Sequence, residues 1–224
     1  MAKALSEKGF DNISLILGSI VFLLIGILLA SYDLKISSLF FEEGFHFLKG
    51  TPFVNFIDKG AEIAVVLLYG YTGIEWLRCK LNRTTFMTSA KFYFVTFCLG
   101  FWCFLIPYGI KNFFGRARPS QITNFGGGST FSKAFEISNQ CSADCSFISG
   151  HVAAVSWLIA FCLILPRKYR MPALTAAALI ICCTAISRIM GGYHFISDVY
   201  FGAYIVIIGI LISYRLLFRN VTNA

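Results

Sequence analysis

Charge is scarce in this chain. Of its 224 residues only 13% are charged, against roughly a quarter in a typical soluble domain. A soluble protein of this length would have to cover its core with polar side chains, and this chain cannot supply them. Clustered His and Cys ligands are missing as well, which argues against a structural zinc, and no acidic cluster stands ready for a catalytic metal. The expectation is therefore a protein without metal or cofactor. Repeats, low-complexity tracts and linkers are absent too, so residues 1–224 read as one integral-membrane domain. A net charge of +8 raises nucleic acid as a partner. The Lys and Arg residues, however, sit in short connections between apolar runs, with no basic domain to hold a duplex. Charge so placed sets topology in a bilayer, and no obligate protein partner is evident.

What the chain has instead is apolar surface: 57% of it is hydrophobic and its mean hydropathy is +0.73. Six stretches approach the ~20 residues that a spanning helix needs, at about 13–30, 61–77, 92–110, 152–165, 173–190 and 199–218. The fourth is short and is expected to begin nearer Ser149. The first follows Lys3 and Lys8 as a signal peptide would. Its length exceeds the usual apolar core of such a leader, so it reads as a retained span. The expected fold is an all-α, six-helix membrane bundle.

An even number of spans puts both termini on one side. That side collects Lys3, Lys8, Arg78, Lys80, Arg83, Lys91, Arg167, Lys168, Arg170, Arg215 and Arg219, eleven of the 19 basic residues. The bias places this side in the cytoplasm and the longer connections outside. Glu62 and Glu75 lie near the ends of the second stretch. An intramembrane acid is a functional hypothesis by default, but here both are close enough to an interface to snorkel, and the structural reading is expected. The stretch 36–59 mixes Phe40, Phe41, Phe45, Phe47, Phe53 and Phe56 with Glu, His and Lys. It reads as an amphipathic element in the headgroup zone, either a platform guiding a lipid or an aromatic belt, with His46 a lone interfacial side chain. Six cysteines lie in or beside spans as small hydrophobes. Cys141 and Cys145 differ, being four apart in a polar outer connection. They could form a disulfide in an oxidising compartment or remain two thiols if the geometry forbids closure.

Three polar groups break this apolar background, each at the outer end of a run. The first is K-N-F-F-G-R-A-R-P, with Lys111, Arg116, Arg118 and Pro119. Alone it could be interfacial anchoring. The second is Ser149-Gly150-His151, where Ser is a good N-cap and the helix N-terminus leaves N–H groups free for an anion. The third is S-R-x5-H-x3-D, with Ser187, Arg188, His194 and Asp198. At i and i+4, His194 and Asp198 are expected to share a helix face, the carboxylate holding one ring nitrogen and freeing the other to attack. Each group is weak alone, but all three fall on one face of the membrane and together spell phosphate chemistry. Two histidines could instead ligate a b-type haem, or the polar residues could line a transport path. Both readings leave Lys111 and the arginines without a role.

In this order the groups closely resemble the signature of the type 2 phosphatidic acid phosphatase (PAP2) superfamily: K-x6-R-P, then P-S-G-H, then S-R-x5-H-x3-D. The one departure is Ile148, where the family usually has proline, a loss that removes a rigid residue but no reacting group. The resemblance implies a six-span bundle with its site at the periplasmic membrane face. It makes His194 a nucleophile forming a phosphohistidine, oriented by Asp198, and His151 the general acid and then base. It makes Lys111, Arg118, Arg188, Ser149 and the Gly150 N–H the cradle for the phosphoryl oxygens, without metal. Arg116 would stand behind these residues or contact a headgroup. The run G-R-A-R-P…F-G-G-G…F…C-S-A-D-C-S-F-I-S-G-H (115–151) and the tail H-F-I-S-D-V resemble the bacterial lipid A phosphatase branch. That implies an inner-membrane enzyme acting on the 1- or 4′-phosphate of lipid A. The nearest rivals are undecaprenyl diphosphate phosphatase and phosphatidylglycerophosphate phosphatase.

Overall fold

The structure is a computed structural model that describes residues 12–41, 47–48, 50–82 and 86–218, without the side chains of 12–15 and 86–88. Lys3, Lys8, Phe45, His46, Arg83 and Arg219 lie outside the described residues. Among the described residues regular structure is helical throughout, with no strand. Helix α1 (Asn12–Ala30) leads through a short α2 (Asp33–Ser38) to α3 (Pro52–Leu81). Helix α3 begins nine residues before the apolar run that announced it. Thr51 caps it by accepting from the Val54 N–H at 3.4 Å, and Pro52 suits the first turn because it has no N–H to leave unbonded. Arg78 and Lys80 close its last turn, where cations meet the carbonyl ends of the peptide dipoles.

The third run is a continuous rod of α4 (Phe86–Phe97), a π-helical segment (Cys98–Leu105) and α5 (Ile106–Phe114). Gly115 ends it at φ +57°, and its N–H returns to the Lys111 carbonyl at 3.1 Å. A side chain at Gly115 would also strike the Ser138 carbonyl, 2.2 Å from the Cβ position. Next come α6 (Gly150–Ser156) and α7 (Leu158–Ile164), separated at Trp157, then α8 (Arg167–Met190) and α9 (Ile196–Phe218). Trp157 is fully buried and donates its indole N–H to the Val95 carbonyl at 2.8 Å.

Among the described residues three stretches are long and apolar enough to cross a membrane, Ser89–Gln121, Arg167–Met190 and Ile196–Phe218. Two shorter apolar helices, Ile16–Ala30 and Gly150–Ile164, accompany them. The outer faces carry large exposed apolar side chains such as Leu24, Val66 and Leu216. In water such surface would drive aggregation; facing lipid it is the solvated state, and this is a membrane protein. Lipid tails are as apolar as the helices, so association rests on close packing. Helix α9 packs against α1, α6, α7 and α8. At Gly209 a Cβ would lie 2.2 Å from the Trp102 ring, whose indole N–H donates to Ser213 Oγ at 3.0 Å.

The connections after α1, after α5 and after α8 meet at one end of the bundle. Leu48 N–H donates to the Met190 carbonyl at 3.1 Å and Ser120 N–H to the Gly192 carbonyl at 3.0 Å. Here the expectation of an interfacial element over 36–59 is corrected, because the stretch is not one element. Phe41 and Phe47 turn inward onto Phe125, with ring centroids 5.1 and 5.3 Å away. Phe53 and Phe56 belong to α3 and point outward. An aromatic cluster under the connections buries more ring surface than a flat lie on headgroups would.

Candidate active site

His194 lies between the Gly191–Gly192 turn and α9, which begins only at Ile196. The expectation that it shares a helix face with Asp198 is therefore corrected, and so is the contact. Nδ1 of His194 is 2.8 Å from the Ser146 carbonyl, while the nearer Asp198 oxygen is 3.9 Å away. A carbonyl can only accept, so Nδ1 carries the proton and Nε2 keeps its lone pair. That Nε2 is buried without a hydrogen-bond partner. Burial first, then the charges of Lys111, Arg188 and Arg118, hold the imidazole well below its usual 6.5, so the ring is neutral at pH 7.

Asp198 acts one bond further back. Its Oδ2 accepts from Ser146 Oγ at 2.6 Å and from the Phe195 N–H at 2.8 Å, which fixes both the carbonyl under His194 and the start of α9. Its Oδ1 accepts from Arg116 Nη1 at 2.6 Å. Arg116 is 1% exposed and spans Asp198 and Asp33, the latter at 2.8 Å. It also donates to Ser197 Oγ at 3.0 Å and to the Ser132 carbonyl at 2.9 Å, and stacks at 4.2 Å on Phe195. A headgroup contact for Arg116 is thereby corrected to a buried strut. Asp33 completes it by accepting from the Ser197 N–H and hydroxyl at 3.0 and 2.7 Å.

In front of His194 the other motif residues converge. Ser149 caps α6, and its N–H donates to the Asp198 carbonyl at 3.0 Å. Gly202 permits that approach, since a Cβ there would lie 2.8 Å from the Ser149 oxygen. Lys111 reaches over the first turn of α6, its Nζ 3.9 Å from where a Gly150 Cβ would be. Lys111, Arg118, Arg188 and His151 all lie within electrostatic reach of the His194 ring. Arg188 stacks on Tyr193 at 3.9 Å and pairs with Asp58 of α3, leaving its Nε buried and unpartnered. Asp58 also accepts from Ser187 Oγ at 2.8 Å. His151 Nε2 lies 3.0 Å from Glu62 Oε1. Glu62, expected to snorkel near an interface, makes a direct side-chain contact here, while Glu75 pairs with Arg78 at the exposed end of α3.

Lys111 and Arg118 share a carboxylate. Asp144 accepts from Lys111 Nζ at 2.9 Å and from Arg118 Nη2, and the Arg118 Nε bonds its carbonyl at 3.1 Å. Partial burial would raise the Asp144 carboxyl, but the bonds and charges of the two cations outweigh it and hold the group below its ordinary range. The residue sits at φ +51° between Cys141 and Cys145, which are joined as a disulfide with Cα atoms 5.5 Å apart. Among the described residues no three His, Cys, Asp or Glu side chains gather as a metal-ligand set.

The sequence reading missed Asp33, Asp58, Ser146 and Asp144. The spacing of Asp58 and Glu62, one turn apart on α3, was a legible signal for two carboxylates on one helix face. For Ser146 no signal exists, because its contribution to His194 is a backbone carbonyl.

Comparison with known proteins bears on this arrangement. The family model of the PAP2 superfamily matches residues 88–222. A lipid A 4′-phosphatase of Francisella tularensis subsp. novicida is 32% identical over 162 residues, 70% of this chain and 69% of that protein. A lipid A 4′-phosphatase of Rhizobium leguminosarum is 35% identical over 98 residues, 44% of this chain and 42% of its own length. Among solved structures, a transmembrane PAP2-type phosphatidylglycerolphosphate phosphatase from Bacillus subtilis aligns with a TM-score of 0.56. That alignment covers 88% of this chain and 94% of that one at 19% identity, a likeness of fold.

Proposed function

Because the chain belongs to the PAP2 superfamily, we propose that it is a lipid phosphatase that hydrolyses a phosphomonoester of lipid A through a phosphohistidine. The shared name of the curated relatives favours the 4′-phosphate over the 1-phosphate. The observation that carries the reading is the bare, buried Nε2 of His194 among Lys111, Arg118 and Arg188.

In this mechanism Nε2 attacks phosphorus while the bond to the lipid oxygen breaks, and protonated His151 gives its proton to that oxygen. Water then gives a proton to His151 as its oxygen attacks phosphorus, and the N–P bond electrons return to Nε2. Lys111, Arg118, Arg188, Ser149 and the Gly150 N–H hold the equatorial oxygens, where charge stabilisation counts most. Asp198 and Arg116 act behind Ser146, keeping its carbonyl under Nδ1. Asp144 bridges two cations of the cradle, and the incoming phosphate displaces it.

The fold reading extends to a single domain with six spans in the bacterial inner membrane, termini in the cytoplasm and the site at the periplasmic face. The basic-residue asymmetry and the Cys141–Cys145 bridge support that side. Phosphate release from lipid A, undecaprenyl diphosphate, phosphatidylglycerophosphate and phosphatidic acid tests the substrate. Lipid A is expected to lead, and preference for another member would move the assignment there. His194→Ala should abolish turnover in a folded protein; near wild-type hydrolysis would sink the mechanism. A cysteine introduced at 123–132 should react with an impermeant maleimide on intact spheroplasts, and one beside Arg167 only after lysis.

A further inference from the structure

We propose that Glu62 and Asp58, one turn apart on α3, are positioning carboxylates of the reaction: Glu62 for the acid–base histidine and Asp58 for the phosphate-binding arginine. The inference rests on the phosphatase reading above and deepens it. Helix α3 lies outside residues 88–222, which the family model covers, so neither acid belongs to the three signature groups.

The geometry divides the two roles. Asp58 is a fork, one oxygen on Ser187 Oγ at 2.8 Å and the other on Arg188 Nη1. It locks the Ser-Arg pair of α8 against α3 and orients the guanidinium, whose Nε stays free of protein partners. Glu62 is the only acid drawn to His151 by a direct contact among the described residues, Oε1 to Nε2 at 3.0 Å. A carboxylate accepts, so Nε2 must carry a hydrogen, and Nδ1 is the nitrogen left to serve the substrate. The negative charge favours the protonated ring, the form the first step consumes. In that step the Nδ1 proton moves to the leaving oxygen as the P–O bond breaks. In the second, Nδ1 takes a proton from water, and the Nε2–H···Glu62 bond keeps the same tautomer throughout.

The other charged groups facing His151 are Lys111 from α5, Arg188 from α8 and Asp58 from α3, with His194 across the cradle and Arg118 beyond it. Lys111 and Arg188 are cations that oppose protonation of His151, and Glu62 is the carboxylate in direct contact that opposes them.

The test uses two phosphate monoesters that differ in leaving group. Dodecyl phosphate needs protonation of its leaving oxygen, whereas p-nitrophenyl phosphate does not. Glu62→Gln in the full-length protein should cost roughly 10–100-fold in kcat on dodecyl phosphate, the scale of general acid catalysis. The p-nitrophenol burst should change by less than about threefold, because nucleophilic attack is untouched. The alkaline limb of kcat/KM should move about one unit lower, since removing a negative neighbour disfavours the protonated ring. Asp58→Asn should instead weaken both esters alike through KM and move the limb less than Glu62→Gln does, since Asp58 acts on His151 more weakly than Glu62. Equal losses on both esters with an unmoved limb in Glu62→Gln, or no loss at all, would overturn the proposal. Absence of turnover of either ester by the wild type would overturn the phosphatase reading along with it. Failure on lipid A alone would change only the substrate.

Discussion

Arg116 and Arg118 stand two residues apart in one motif, yet they anchor opposite kinds of ion cluster. Arg116 is 1% exposed and its two carboxylate partners, Asp33 and Asp198, are fully buried. Arg118 and Lys111 share Asp144, whose side chain is 73% exposed. The buried cluster satisfies nearly every donor and acceptor in it with protein groups, so each member fixes the next and the chain ends at the Ser146 carbonyl beneath His194. The open cluster is a pair of cations sharing a carboxylate that solvent can reach. Burial, more than charge, decides which arginine is locked into the architecture and which keeps an exposed partner.

The comparison breaks most severely at Arg116. Arg116→Ala would strand two buried carboxylates, and losing one partner of a buried ion network costs about 3–5 kcal/mol. A thermal melt in detergent should show a large drop in Tm together with lost activity. If Arg116→Ala melts like wild type, the strut is not structural. Asp198→Asn is expected to follow. It keeps size but loses the charge that holds Arg116, and Ser146 and the Phe195 N–H lose a charged acceptor. Bonds to charged groups are worth about 1.5–3 kcal/mol each, and kcat should fall with stability, as paired melts and turnover would show.

The open cluster should respond in function before stability. Lys111→Gln removes a cation that keeps His194 unprotonated, so the acid limb of kcat/KM, expected below pH 6.5 in the wild type, should move to higher pH. The sign follows from charge: a cation disfavours imidazolium, and its loss favours it. An acid limb that stays in place would separate Lys111 from the nucleophile. The smallest effect on stability is expected at Asp144→Asn, about 0–1 kcal/mol as for exposed ion pairs. The same change should tighten inhibition by vanadate several-fold, because the oxyanion no longer competes with a tethered carboxylate. Weaker vanadate binding would make Asp144 part of the cradle instead of its cover.

Three of the apolar runs, those at 92–110, 173–190 and 199–218, were legible because the bilayer imposes a length on them, and the cap at Ser149 because Ser before a helix has a local use. The start of α3 was not, since Pro52 and Thr51 define a helix end through geometry and leave hydropathy unchanged there. The three motif groups were legible as residue types. The partner of His194 Nδ1 was not, because a backbone carbonyl has no residue identity to read. Asp33 follows the first apolar run with nothing in the sequence to mark it, and only the fold brings it within 2.8 Å of Arg116.

What the sequence determined by itself is the medium and the residue types of the candidate site. The scarcity of charge demands a membrane, and Lys111, Arg118, Ser149, His151, Arg188 and His194 stand at the ends of apolar runs. Which of them touch, and through what, was decided by tertiary structure. Residues far apart in the chain, such as Asp33 and Arg116 or Glu62 and His151, meet only when helices pack. A hydrogen bond needs its two atoms within about 3 Å, a distance that spacing along the chain does not set.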